Sequence, residues 1–133
     1  MKIEKVPAFI LASDAGIAAL NGTNVWPVVV PKGQRPSSYV VWRVVSNVMR
    51  PTIDAQQSFK AWRARIEITV GAGDYLSLKN LVQAVRASMN LQRGIINTVQ
   101  VDLIMLALEG AEYYDDGSQV YVQTLDFYIN YHD

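Results

Sequence analysis

Apolar and polar residues recur along this chain in two rhythms, and the switches between them outline a fold. Val6, Phe9, Ile10, Ile17 and Leu20 fall near helical spacing around Pro7, whose missing N–H is harmless in a first helical turn. Ser13-Asp14 interrupts that run and predicts two helical pieces, with Asp14 capping the second and Asn21-Gly22 stopping it. Residues 25–30 predict a short strand that Pro27 confines to a sheet edge or a strand end. A loop with Pro31, Gly33 and Pro36 follows. Residues 39–49 predict a long strand, with Val40, Trp42, Val44 and Val48 on one face and Tyr39, Val41, Arg43, Val45 and Asn47 on the other. After a polar connection over residues 51–57, residues 59–70 alternate cleanly. Trp62, Ala64, Ile66, Ile68 and Val70 oppose Arg63, Arg65, Glu67 and Thr69, which means one buried face and one wet or partner-facing face.

Gly71-Ala-Gly73 ends that strand, and Asp74 is placed to cap a helix. Leu78, Leu81, Val82, Val85 and Met89 give this helix one continuous apolar stripe, and Asn90 and Gly94 bracket its exit. Residues 98–108 predict a strand whose apolar run over residues 103–108 implies cover on both faces. Asp115-Asp116-Gly117 is a hairpin signal within a turn region over residues 109–118. Residues 120–131 form the closing strand, with Leu125, Phe127, Ile129 and Tyr131 facing away from Thr124, Asp126, Tyr128 and Asn130. This order predicts a single α+β domain over residues 1–133. It has two layers, a mainly antiparallel or mixed sheet of four or five strands with two helices packed on one face. The second face of such a sheet stays partly apolar, so an oligomer is expected.

Composition narrows what this domain can do. The 133 residues include no cysteine, which removes disulfides, thiol catalysis and thiolate metal sites together. Twelve basic residues balance twelve acidic ones, and zero net charge argues against a dedicated binder of duplex nucleic acid. No stretch approaches the ~20 apolar residues of a membrane helix. The N-terminus lacks a signal-peptide layout, so the chain is expected to fold and stay in a reducing cytoplasm, with no membrane partner.

The charges balance in sum but not in order. All twelve basic residues precede Gly94 and share that stretch with five acidic ones, a net +7. From Gly94 onward there is no Lys or Arg, and seven acids, among them Asp102, Glu109, Glu112, Asp115 and Asp116, make it −7. Two readings stand open. The C-terminal strands lie beside the basic ones and cancel them within one subunit, or the molecule has two oppositely charged surfaces suited to head-to-tail association.

The residues offer no catalytic set. Gly71-Ala-Gly73 sits where a dinucleotide turn would, but the third glycine is replaced by Leu76, and Asp74 stands where phosphate would bind. Asp115-Asp116-Gly117 lacks the ligand spacing of a calcium loop, and His132 is the only histidine. No cofactor, metal or enzymatic activity is therefore expected. Arg43, Arg63 and Arg65 fall on outward strand faces with Tyr39 and Phe59 nearby, a set suited to stacking single-stranded bases or to a protein interface. The interface is favoured, since no RNA-binding aromatic motif accompanies them and five of the seven tyrosines cluster in the last hairpin, at Tyr113, Tyr114, Tyr121, Tyr128 and Tyr131.

The order of elements, with several local strings, resembles the tail terminator or tail completion proteins of long-tailed bacteriophages and prophages. The strings are Ser13-Asp-Ala-Gly-Ile-Ala-Ala-Leu20 with Val25-Trp-Pro27; Pro36 leading into Tyr39-Val-Val-Trp-Arg43; Phe59-Lys-Ala-Trp-Arg-Ala-Arg-Ile66; the helix around Val82-Gln-Ala-Val-Arg86; and Tyr128-Ile-Asn-Tyr131. They span nearly the whole chain. Two departures stand out: Ser37-Ser38 separate the loop proline from the tyrosine, and the final residues run short. The resemblance implies a structural virion protein at the head–tail junction, assembled in the host cytoplasm. Such a protein forms a ring, usually a hexamer, that caps the tail tube, ends polymerisation of the major tail tube protein and offers a surface to the head-side connector. Genomic DNA passes through the lumen without specific binding. The alternatives are another neck or head-closure protein and, from a different class, a small nucleic-acid-binding module. At the sequence level the expected interface residues are Arg43, Arg63 and Arg65 on one subunit. They meet Asp102, Glu109 and Glu112 of the next, with Asp115 and Asp116 at a loop tip facing a further partner or the lumen.

Overall fold

The computed structural model describes residues 3–34, 36–50 and 61–132. The chain opens with α1 (Lys5–Ser13) and α2 (Ala15–Asn21), broken as expected at Asp14. Asp14 is extended, and its Oδ2 accepts the Ile17 N–H at 2.9 Å, satisfying one of the donors that a helix start leaves unpaired. β1 (Val25–Pro27) and the long β2 (Ser38–Arg50) and β3 (Ala61–Ala72) follow. α3 (Tyr75–Met89) begins at an Asp74 cap whose Oδ1 accepts the Ser77 N–H at 2.8 Å. β4 (Gly94–Ile96), β5 (Val99–Glu109), β6 (Tyr113–Asp115) and β7 (Val120–His132) complete the fold.

The strands form one mixed sheet in the order β1-β2-β3-β7-β5-β4, with β6 paired to the start of β7. β1 runs parallel to β2 and every other pairing is antiparallel. β7 is central, paired along its length with β3 on one side and with β5 and then β6 on the other. The helices cover one face. The five stripe residues of α3 are all buried, and with Ala64, Ile66, Ile68 and Val70 of β3 and Leu125, Phe127 and Ile129 of β7 they form one core. Ile3, just before α1, seals its edge together with Val6 and Leu11 of α1 and Ile17 of α2.

The α+β class and the two layers follow the sequence pattern, but the strand and helix counts do not. Among the described residues there are seven strands and three helices rather than four or five strands and two helices. The unforeseen strands β4 and β6 are three residues each, too short to show a period of two. The strand expected over residues 25–30 stops at Pro27, because Val28 turns to φ 67° and donates its N–H to the Trp42 carbonyl at 2.8 Å. A bulge at Val45 changes the far half of β2: Val44 faces Ile66, but Ser46 faces Arg65. The extra residue swaps the two faces. Asn47 moves to the core side, where its Oδ1 accepts the Tyr131 hydroxyl at 2.8 Å, and Val48, expected inward, is 59% exposed. The connection over residues 51–57 and the first residues of the strand expected from 59 lie outside the described residues.

The two borders of the sheet are finished differently. Beyond β4, the segment after α3 covers β5: Ile104 N–H reaches the Gln92 carbonyl at 3.0 Å, and Leu106 N–H reaches Asn90 Oδ1 at 3.0 Å. On the other border β1 covers only Val40 to Trp42 of β2.

Candidate assembly surface

The face of the sheet away from the helices is built by cross-strand register. Arg43 of β2, Glu67 of β3 and Asp126 of β7 form one row, and Val48, Arg63 and Asn130 form another. Such rows hold side chains within reach of one another, so opposite charges pair across strands. Arg43 Nε meets Glu67 Oε1 at 2.9 Å, and an Arg65 terminal nitrogen meets Asp126 Oδ2 at 2.5 Å. The Asp126 side chain is only 8% exposed, so the Arg65 hydrogen bond serves a carboxylate largely removed from water. That bond and the Asp126 charge push the Arg65 guanidinium above its already high range. Arg63 is placed differently. Its Nε donates to Asn130 Oδ1 at 3.1 Å, and its guanidinium lies 4.9 Å from the centre of the Tyr128 ring. Arg50 donates to the same Asn130 oxygen at 3.4 Å.

The structure thus brings Arg43, Arg63 and Arg65 onto one face. It sets several acids of the last third beside side chains of their own chain. Asp102 Oδ1 lies 2.8 Å from His132 Nδ1 and Glu109 Oε2 lies 3.3 Å from Arg86. Glu112 accepts the Tyr75 hydroxyl at 2.9 Å and Lys79 at 3.2 Å; these two donors, the tyrosine first, hold its carboxyl below the usual range. Asp115 is engaged by its own turn, accepting the Gly117 N–H at 3.2 Å and the Ser118 hydroxyl at 2.7 Å. Asp116 is exposed at the tip. Tyr39 does not join the arginines. It packs over Gly71 at the opposite end of β3, where a Cβ would overlap its ring, and Phe59 lies outside the described residues. Burial raises the Tyr39 phenol above its usual value.

Two features, one on this face and one on the helix side, are not legible in the sequence. One is the Arg50–Asn130–Arg63 convergence, which exists because the Val45 bulge turns Val48 outward beside Arg63. The other is a clamp on the last hairpin. Lys79 Nζ also reaches Gln123 Oε1 at 3.0 Å, and Gln123 Nε2 donates to the Gly110 carbonyl at 2.8 Å. Tyr121 meets Tyr75 and Tyr114 edge to face, with ring centres 6.0 and 4.9 Å apart. The start of α3 thereby fixes the β6–β7 hairpin in place.

Among the described residues no three His, Asp or Glu side chains gather as a metal site. No helix among them is long and apolar enough to cross a membrane. No protein-family model matches the chain. No curated protein sequence matches it either. A solved structure does share its shape: a chain of the "Virion of native gene transfer agent (GTA) particle", with a TM-score of 0.76 over 98% of this chain and 95% of that one. At 16% sequence identity, this likeness establishes that the two chains have the same fold from end to end.

Proposed function

We propose that this protein is a structural subunit of a phage-like virion, a tail terminator that caps the tail tube as a ring and presents a surface for head joining. The observation that carries most weight is the end-to-end fold match to a chain of a gene transfer agent virion. The sequence strings that resemble tail terminator proteins point the same way and supply the finer role. The geometry supports an assembling subunit: its charged side chains serve cross-strand pairs and a hairpin clamp, not an enclosed cleft. A subunit of this kind acts through rigidity. The central strand β7 is held on both sides, so surfaces at the two ends of the sheet keep a fixed separation and angle, as repeated contacts in a ring require.

Native mass measurement of the purified protein across a concentration series tests the ring. A hexamer in equilibrium with monomer is expected. A chain that remains monomeric at every concentration, including in the presence of purified tail tubes, contradicts it.

A further inference from the structure

Among the described residues, two places carry charge without an opposite partner and lie at opposite ends of the sheet, one on its outer face and one on the β6–β7 turn. At one end Arg50 and Arg63 share the single Oδ1 of Asn130. Neither has a carboxylate partner among the described residues, whereas Arg43, Arg65, Lys79 and Arg86 each have one. The two guanidiniums open on a cavity of about 470 Å³ whose walls are Ser46, Val48, Met49 and Tyr128. At the other end, among the described residues, Asp116 is the carboxylate that makes no hydrogen bond or ion pair. Between Val120, where the hairpin enters β7, and Asn130, the strand advances roughly 33 Å at about 3.3 Å per residue. One chain cannot bring the two together.

We infer that the Arg50–Arg63 pocket receives the Asp116 hairpin tip of a second copy of this chain. This rests on the ring reading above and assigns its contact. Both halves are held before they meet. Tyr128 holds the Arg63 guanidinium, and Asn130 occupies only Nε, leaving the terminal donors for a carboxylate. The hairpin turn is locked by the three bonds into Asp115: Gly117 N–H, Ser118 hydroxyl and, to its carbonyl, Gln119 N–H at 2.7 Å. Asp116 is exposed in that turn, beside Gly117, which has no side chain. Little ordering is left for binding to impose. The contact joins two different surfaces, so it is heterologous and repeats head to tail, closing into a ring when the rotation permits.

The test is a charge exchange read by native mass measurement. Asp116→Lys, at an exposed tip where the fold is indifferent to it, and the double variant Arg50→Glu with Arg63→Glu should each raise the apparent dissociation constant of assembly by at least about tenfold. Melting temperatures identify any variant that fails for lack of folding. The chain carrying all three reversals should recover assembly, because a basic hairpin tip then meets an acidic pocket on its neighbour. If the wild type forms rings and Asp116→Lys forms them equally well, this contact is wrong and the ring stands on other residues. A wild type that never self-associates removes both. A labelled duplex DNA that binds the wild type with steep salt dependence and is lost in Arg50→Glu, Arg63→Glu reassigns the pocket to phosphate and overturns the contact.

Discussion

Gly71 shows how much one atom can decide. It lies one residue from the end of β3, still within the paired ladder, where glycine ordinarily weakens a sheet, and its place is explained by the Tyr39 ring resting where a Cβ would project. Gly71→Ala should therefore cost about 1–3 kcal/mol in chemical denaturation. In a Tyr39→Ala background the same change should cost much less, and equal costs in both backgrounds would show that the ring is not the obstacle. Asp14→Ala should cost about 1 kcal/mol by freeing the Ile17 N–H from its cap. Both caps, Asp14 and Asp74, were readable because a short acceptor before an apolar run has one main use. Gly71 read only as a turn residue, since the side chain that needs its space lies 32 residues away in the sequence. The arginines were placed on the right face by alternation alone. Their partners were not legible, because Asp126 and Asn130 meet Arg65 and Arg63 through pairing register, which is a tertiary choice.

At the scale of elements, α3 is the piece on which the layers depend. Its apolar stripe was fully visible in the sequence, and all five positions are buried against β3 and β7. Val82→Asp should destabilise by at least about 3 kcal/mol, because it places an unpaired charge where Val82 is 2% exposed; a folded variant with an unchanged melting temperature would contradict the packing. The N-terminal end of α3 has a second role as the hairpin clamp, and that role titrates. Backbone and hydroxyl hydrogen bonds from Ser77 lower the Asp74 carboxyl, and Tyr75 and Lys79 lower that of Glu112. A depressed carboxyl contributes stability that is complete above its unfolded pKa, near 4 for these groups, and that is withdrawn as pH falls through the lowered folded value. The melting temperature should thus fall on the acid side. Glu112→Gln should flatten part of that slope, and hydrogen exchange of β6 should quicken in acid before that of β3. An acid limb identical in wild type and Glu112→Gln would remove the clamp from the account. None of this was visible in the pattern of residues 109–118, which reads as a turn region and hides the three-residue strand β6 that closes on Tyr121.

For the whole molecule, the split between a basic first part and an acidic last part was plain from the sequence, but its meaning was not. The fold resolves most of it inside one chain, since β7 sits beside β3 and Arg86 and Lys79 of α3 reach Glu109 and Glu112. Among the described residues, what remains unpaired includes Arg50 and Arg63 at one end of the sheet and Asp116 at the other. The proposed role, ending the growth of a tail, is readable only in an assembled particle. The most direct measurement of that proposal is the length distribution of tails, by electron microscopy, in lysates of the particle-producing source with this gene removed and then restored. The account predicts unattached heads and tails of uncontrolled length without the protein, and tails of one length joined to heads when it returns. Tails of normal length joined to heads in its absence would contradict it.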